Sequence, residues 1–374
     1  MKTQPSKTYH IQTFGCQANE LDSEKIAGLM ESKGYIPEKK DEADIVIINT
    51  CSVRQSAEDR VLGLIKNLQN LKKPPGQRTK IIVTGCMVGS AQNKRKRYSL
   101  PELKKKLPGV DQFISIEKLL SGFKGEPIRK KSKSAFVSIM KGCDNFCSYC
   151  VVPYAKGREV SRPIETIICE VERLVKQGYK HITLLGQNVN SYHKNSKLKI
   201  QSQKLQLKVQ NLKKEYKNNF AILLVILNEI KGLEKISFLT SNPHDLSNDI
   251  IRAMKLPKID QYLHLAVQSG DDSVLKQMNR KYTVKKYLNL IKQIRKEIPK
   301  IQIGTDIIVG FPGETKQQFN NTVKLCQKVK FNVAYIAKYS PRQGTSAYKL
   351  KDSVSYKEKK RRWEILDKMI NKNK

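Results

Sequence analysis

Short runs of β-branched and apolar residues recur along the chain, each followed by a longer stretch whose apolar positions return every three or four residues. Three such runs stand out before residue 120: Tyr9-His-Ile-Gln-Thr-Phe14, Asp44-Ile-Val-Ile-Ile-Asn49 and Lys80-Ile-Ile-Val-Thr84. Runs this apolar suit strands covered on both faces, as in a parallel sheet. The stretches between them predict amphipathic helices over Glu20–Lys33 and Ser56–Leu71. Residues 1–123 therefore read as a three-layer α/β domain.

A basic stretch with Gly and Pro, 124–133, reads as a linker. Beyond it the alternation resumes. Strands are predicted at Ala135–Met140, His181–Leu185, Lys235–Phe238, Tyr262–Val267, Gln302–Val309 and Val333–Lys338. Helices fit Pro163–Gln177, Leu246–Met254, Asp272–Met278, Val284–Glu297 and Lys316–Val329. Repeated βα units over 134–345 predict a full or partial (β/α) barrel, with its chemistry on the loops at the C-terminal strand ends. The segment 194–219, rich in Lys, Gln and Asn, breaks the pattern and reads as an exposed helical or disordered insertion. Residues 346–374 end in a basic helix, Lys357–Asn373, with Trp363, Leu366 and Ile370 on one side.

The longest apolar stretch, Phe220–Leu227, is too short to span a bilayer, and no secretory leader is evident. A cytoplasmic protein without a membrane partner is expected. Charge adds a second expectation: 71 Lys+Arg against 34 Asp+Glu give a formal net charge of +37 over 374 residues. Such an excess favours a polyanionic partner, with nucleic acid ahead of an acidic membrane.

The cysteines sharpen the picture most. Cys143, Cys147 and Cys150 follow a C-x3-C-x2-C spacing with no fourth cysteine nearby. Three thiolates on a four-iron cubane leave one iron open to a small molecule, whereas zinc would need a distant fourth ligand. Cys16, Cys51 and Cys86 each follow a predicted strand, at two equal intervals of 35 residues. Strand C-termini of an open parallel sheet share one edge, so these thiols are expected to converge as a second site. Cys169 and Cys326 fall inside predicted helices and read as core packing.

These motifs together resemble a known family. Cys143-Asp-Asn-Phe-Cys147-Ser-Tyr-Cys150 is similar to the signature of radical S-adenosylmethionine (SAM) enzymes. Its continuation, Val151-Val-Pro-Tyr-Ala-Lys-Gly-Arg158-Glu-Val-Ser-Arg162-Pro163, resembles the methylthiotransferase branch. So do Gly15-Cys16-Gln17-Ala-Asn19, Asn49-Thr50-Cys51-Ser52-Val53-Arg54 and Gly85-Cys86-Met87. Leu185-Gly-Gln187-Asn188-Val-Asn190-Ser-Tyr192 is similar to the enzymes of MiaB type, which methylthiolate isopentenyladenosine in tRNA.

The resemblance implies an N-terminal methylthiotransferase domain and a partial radical SAM barrel. It implies two [4Fe-4S] clusters with SAM as cofactor, one cluster on Cys143, Cys147 and Cys150 and the other on Cys16, Cys51 and Cys86. For SAM it points to Tyr149, Gln187, Asn188, Ser241, Gln268 and Asp306. Arg280 suits either a carboxylate or phosphate of a ligand or a surface ion pair, and His181, His244 and His264 receive no role.

Implied partners are the tRNA anticodon stem-loop, a flavodoxin- or ferredoxin-type electron donor and a sulfur donor, around a monomer. The resemblance also implies a terminal RNA-binding TRAM domain, which is not present in this sequence after the basic helix. Rival readings are a sister enzyme acting on threonylcarbamoyladenosine or a ribosomal protein, and a non-catalytic, metal-stabilised RNA-binding protein.

Overall fold

The computed structural model describes residues 7–53, 55–71, 78–129, 133–194, 196 and 198–372. Arg54 of the second cysteine motif, 130–132 of the linker, Asn195 and Lys197 of the insertion and Asn373 of the last helix lie outside them. The chain divides into two compact units, Met1–Lys131 with Cys150–Arg158, and Ser132–Tyr149 with Glu159–Lys374. The short segment that follows the cluster loop thus packs with the N-terminal residues, which no linear boundary foretold.

The first unit runs β1 (Thr8–Thr13), α1 (Gln17–Ser32), β2 (Ile36–Pro37), β3 (Ile45–Thr50), α2 (Gln55–Gln69), β4 (Lys80–Gly85), α3 (Cys86–Gln92), α4 (Leu100–Lys106), β5 (Gln112–Phe113), α5 (Ile116–Leu119) and α6 (Val152–Ala155). Its five strands pair in parallel in the order β2-β1-β3-β4-β5. β3 is buried from Val46 to Thr50, as a central strand with both faces covered must be. One core packs Val46, Ile48, Ile81 and Val83 under α2, and the other packs Tyr9, Ile47 and Ile82 under α1. All three predicted strands are present. α3 is an addition: it starts at Cys86 itself, and its apolar residues are too few for a periodicity to be visible.

The second unit holds β6 (Ser134–Ser138), β7 (Met140–Lys141), β8 (Val160–Ser161), α7 (Ile164–Lys176), β9 (His181–Leu185), α8 (Gln203–Glu215), α9 (Asn219–Asn228), β10 (Lys235–Phe238), α10 (Asn248–Ala253), β11 (Tyr262–His264), α11 (Asp272–Gln277), α12 (Val284–Glu297), β12 (Gln302–Val309), α13 (Lys316–Val329), β13 (Val333–Lys338) and α14 (Tyr356–Asp367). Parallel sheets β6-β9-β10 and β11-β12-β13 are joined by parallel bridges Ile236–Ile259 and Ser241–Leu265. Six strands thus follow one another in sequence order, the expected partial (β/α) barrel.

One helical detail differs from expectation. Phe220–Leu227, read only as an apolar run, forms α9, which is buried on nearly every side and so shows no amphipathic period. Asn218 caps it, its Oδ1 accepting from Phe220 N at 2.9 Å and Ala221 N at 3.1 Å. The insertion preceding it is helical: α8 buries Val209 and rests Leu205 and Leu212 on the barrel core, leaving its lysines outward. Cys169 corrects the core-packing reading. It is exposed on α7, whose buried stripe is Ile164, Ile167, Val171 and Leu174, whereas Cys326 is buried as expected.

α14 packs on β13 through Trp363, whose Nε1 donates to Ile336 O at 2.9 Å. Among the described residues, no helix is long and apolar enough to cross a membrane.

Candidate metal centres

Cys16, Cys51 and Cys86 stand at the C-terminal ends of β1, β3 and β4, which are neighbours in one sheet. Two of them also open helices. Cys16 occupies the N-cap position of α1 and Cys86 is the first residue of α3, so both meet the positive end of a helix dipole. Cys16 is exposed, while Cys51 and Cys86 are buried.

A buried amide network lies under these strand ends. Asn19 Nδ2 donates to Asn49 Oδ1 and to Thr50 O, both at 3.0 Å, and Asn49 Nδ2 returns bonds to Asn19 O at 2.8 Å and Ser23 Oγ at 3.0 Å. Thr50 Oγ1 links β3 to β4 through Thr84 O and accepts from Met87 N at 3.1 Å. Gly85 has φ +86°, and a Cβ there would lie 2.5 Å from both Asn49 Oδ1 and Thr50 O. Only glycine allows β4 to turn into α3 at this point.

Burial pushes the Cys86 thiol up to about 12, against the pull of Lys156, and the neighbouring Cys51 and Cys16 push the same way. Thiols that repel one another's ionisation in this way require a cation to become thiolates together. Lys156 supplies part of that charge. Its Nζ stands 3.7 Å from Asp22 Oδ2, and although burial opposes its charge, Cys86, Asp22 and Cys16 hold the ammonium protonated well above the usual lysine range. It is delivered by α6, which docks on α3. Asn93 Nδ2 donates to Tyr154 O and Ala155 O at 2.9 Å, and Gly89 leaves room for the Ala155 carbonyl, 2.1 Å from where a Cβ would be. Nothing in the sequence around Lys156 marks this role.

The loop bearing Cys143 and Cys147 follows β7 and is held by the corner Met278-Asn-Arg280. Ser148 N donates to Met278 O at 3.1 Å, and Asn279 Nδ2 donates to Phe146 O at 2.9 Å and Asn145 O at 3.3 Å. Arg280 reaches Cys147 Sγ at 3.3 Å, Asn242 Oδ1 at 3.3 Å, Ala266 O at 3.0 Å and Tyr282 Oη at 3.0 Å. It is therefore no surface ion pair but a guanidinium tying the cysteine loop to the strand ends. Burial raises the Cys143 thiol to about 11, opposed by hydrogen bonds from Asn145. Cys150, next in the motif, opens the segment that packs in the first unit.

The other expected residues take different places in the second unit. Tyr149 packs beside Met278, Phe311 and Tyr339. Gln187 follows β9 with its Oε1 buried and without a hydrogen-bond partner among the described residues. Asn188 is fully engaged, donating to Asp245 Oδ2 at 2.7 Å and Ser191 Oγ at 3.1 Å and accepting from Asn242 N at 3.2 Å. Ser241 Oγ bonds Asn190 Oδ1 at 3.2 Å. Gln268, left-handed at φ +70°, pairs its backbone with β12. Asp306 Oδ2 meets His264 Nε2 at 2.8 Å, a pairing with no signal in the sequence.

Among the described residues, no three His, Cys, Asp or Glu side chains crowd closely enough to chelate a single metal ion, as zinc would require. A cubane spreads its thiolates over different irons. Cys16, Cys51 and Cys86, at neighbouring ends of one sheet and with no fourth cysteine beside them among the described residues, suit a four-iron cluster with one open iron.

Comparison with known proteins agrees in both halves. Residues 137–326 match the radical SAM superfamily and residues 8–113 match the Uncharacterized protein family UPF0004. The chain is 42% identical over 388 residues to the tRNA-2-methylthio-N(6)-dimethylallyladenosine synthase of Clostridium tetani, covering 98% of this chain and 81% of that one. It is 43% identical to the enzyme of that name from Clostridium perfringens, covering 98% and 82%. Among solved structures, the radical SAM methyltransferase TsrM from Kitasatospora setae aligns with a TM-score of 0.57 at 13% identity, over 92% of this chain and 77% of that one, a likeness of fold.

Proposed function

The chain belongs to the tRNA-2-methylthio-N(6)-dimethylallyladenosine synthases of the radical SAM superfamily, and from that premise we propose that it converts N6-isopentenyladenosine beside the tRNA anticodon to its 2-methylthio derivative. The observation that carries the reading is the placement of Cys16, Cys51 and Cys86 at the ends of three adjacent parallel strands, apart in sequence from the Cys143, Cys147 and Cys150 loop. Four-iron clusters on these two sets would supply, respectively, sulfur for transfer and the reductive cleavage of SAM to a 5′-deoxyadenosyl radical.

The protein's own residues position and shield. Arg280 and Asn279 hold the Cys147 loop, and Lys156 offsets negative charge among the strand-end thiols. Gln187, with a buried Oε1 lacking a partner among the described residues, suits the SAM amino group, and Asn188 orders the loop that presents it. Tyr149, Ser241 and Gln268 complete the SAM contacts we assign. The excess of lysine and arginine serves phosphate contacts on the anticodon stem-loop. Electrons come from a flavodoxin- or ferredoxin-type partner and sulfur from a separate donor.

The test is anaerobic reconstitution followed by iron analysis and nucleoside mass spectrometry. About eight irons per chain are expected. Cys143→Ala should abolish 5′-deoxyadenosine formation, while Cys16→Ala should abolish only the methylthio product. A methylthio-threonylcarbamoyladenosine product would overturn the substrate assignment.

A further inference from the structure

The sheet β11-β12-β13 has one face packed into the hydrophobic core. Leu263, Ile303, Ile307 and Ala334 point into the core, so by strand alternation Tyr262, His264, Gly304, Asp306 and Tyr335 share the opposite face. They are not scattered there. His264 Nε2 meets Asp306 Oδ2 at 2.8 Å, and His264 Nδ1 meets Tyr262 Oη at 3.2 Å. A carboxylate only accepts, so Nε2 carries the imidazole proton and Nδ1 accepts from the tyrosine. Burial raises the Tyr262 hydroxyl to about 12, which keeps it the donor this chain needs.

Gly304 makes the arrangement possible. A Cβ there would stand 2.0 Å from Tyr262 Oη and 3.1 Å from His264 Nδ1. The inner members are sheltered, with His264 only 7% exposed, but the outer carboxylate is open: the Asp306 side chain is 41% exposed. Its Oδ1 has no hydrogen-bond partner among the described residues. Directly across the ladder from Asp306 lies Tyr335, 53% exposed, with its ring centroid 5.6 Å from that of His264. An aligned hydrogen-bond acceptor beside an exposed aromatic ring is what a splayed-out base requires: a face to stack on and an edge to be read by.

We propose that Tyr335 and Asp306 form the reader of the target base, Tyr335 stacking on the purine and Asp306 Oδ1 accepting from its N6–H. Tyr262 and His264 are positioning residues that hold the carboxylate. The inference rests on the tRNA reading above and removes Asp306 from the residues assigned to SAM. A carboxylate accepts from the single N6–H of an N6-monosubstituted adenine and rejects an N6,N6-disubstituted one, which has no hydrogen to give.

The test is binding of two fluorescent anticodon stem-loops to the reconstituted enzyme, one carrying N6-isopentenyladenosine and the other N6,N6-dimethyladenosine. Wild type should prefer the first by about tenfold or more, as for a hydrogen bond to a charged group. Asp306→Ala should lose that preference, and Asp306→Asn, isosteric and less prone to disturb folding, should reduce it. Tyr335→Ala should weaken both stem-loops by about fivefold or more, with Tyr335→Phe restoring binding because the ring remains. Retained preference in both Asp306 variants would overturn the proposal, as would loss of SAM binding in them with the preference intact. Failure of the tRNA reading is distinguishable, because wild type would then give no methylthio product on the isopentenyl stem-loop.

Discussion

Asn19 and Asn49 clasp each other across the first unit: the Asn19 amide donates to Asn49 Oδ1 at 3.0 Å, and the Asn49 amide donates back to Asn19 O at 2.8 Å. Both side chains are buried, three residues after Cys16 and two before Cys51. The clasp therefore fixes how two cysteine-bearing strand ends stand to each other. Asn49→Leu would remove one of the two acceptors of the buried Asn19 amide, at a cost of about 1–3 kcal/mol in urea unfolding of the cluster-free chain. Iron content should fall from about eight toward about four per chain, while 5′-deoxyadenosine formation persists.

Lys156 makes a different demand. Lys156→Met leaves Asp22 without the nearest cation and removes the charge opposing ionisation cost at Cys86. The pair is partly solvent-exposed, so the loss should be below the ~3–5 kcal/mol of a fully buried ion pair. Urea denaturation under anaerobic conditions checks it. Lys156→Arg should recover most of the stability by restoring a cation.

Arg280 tests the cysteine loop. Its guanidinium serves a thiol, an amide, a carbonyl and a phenol at once, a fan of directions an ammonium cannot match. Arg280→Lys should lower the iron retained at Cys143, Cys147 and Cys150, read as a lost share of the cluster absorbance in a Cys16→Ala background. An unchanged spectrum there would remove Arg280 from the loop's support.

The two remaining cysteines should differ sharply in reactivity. Cys326 is buried on α13 and burial lifts its thiol to about 12, whereas Cys169 is exposed on α7. Iodoacetamide at pH 8 should label Cys169 in the native chain and reach Cys326 only after denaturation, as read by peptide mass spectrometry.

Much of this architecture is legible along the chain. β-Branched runs and the helical period between them mark the strands of both units, because a parallel strand covered on both faces is mostly apolar. Equal spacing of Cys16, Cys51 and Cys86 marks a shared sheet edge, since each βα repeat returns the chain to the same side. Where a segment lacks a period, sequence reading stops: α9 is apolar all round, and α3 is too short.

Other features have no one-dimensional signature. Lys156 stands between glycine and alanine in an ordinary-looking run, and only the docking of α6 on α3 carries it to the thiols. Met278, Asn279 and Arg280 are more than 120 residues from the loop they hold. His264 has no ligand-like spacing. It acquires a partner because strand pairing sets Gly304 opposite it, and the missing Cβ admits the Tyr262 hydroxyl. Sequence determined which strands form and which cysteines end them, through local periodicity. Tertiary structure decided which charges and hydrogen bonds meet those cysteines, because such partners are chosen by distance in space.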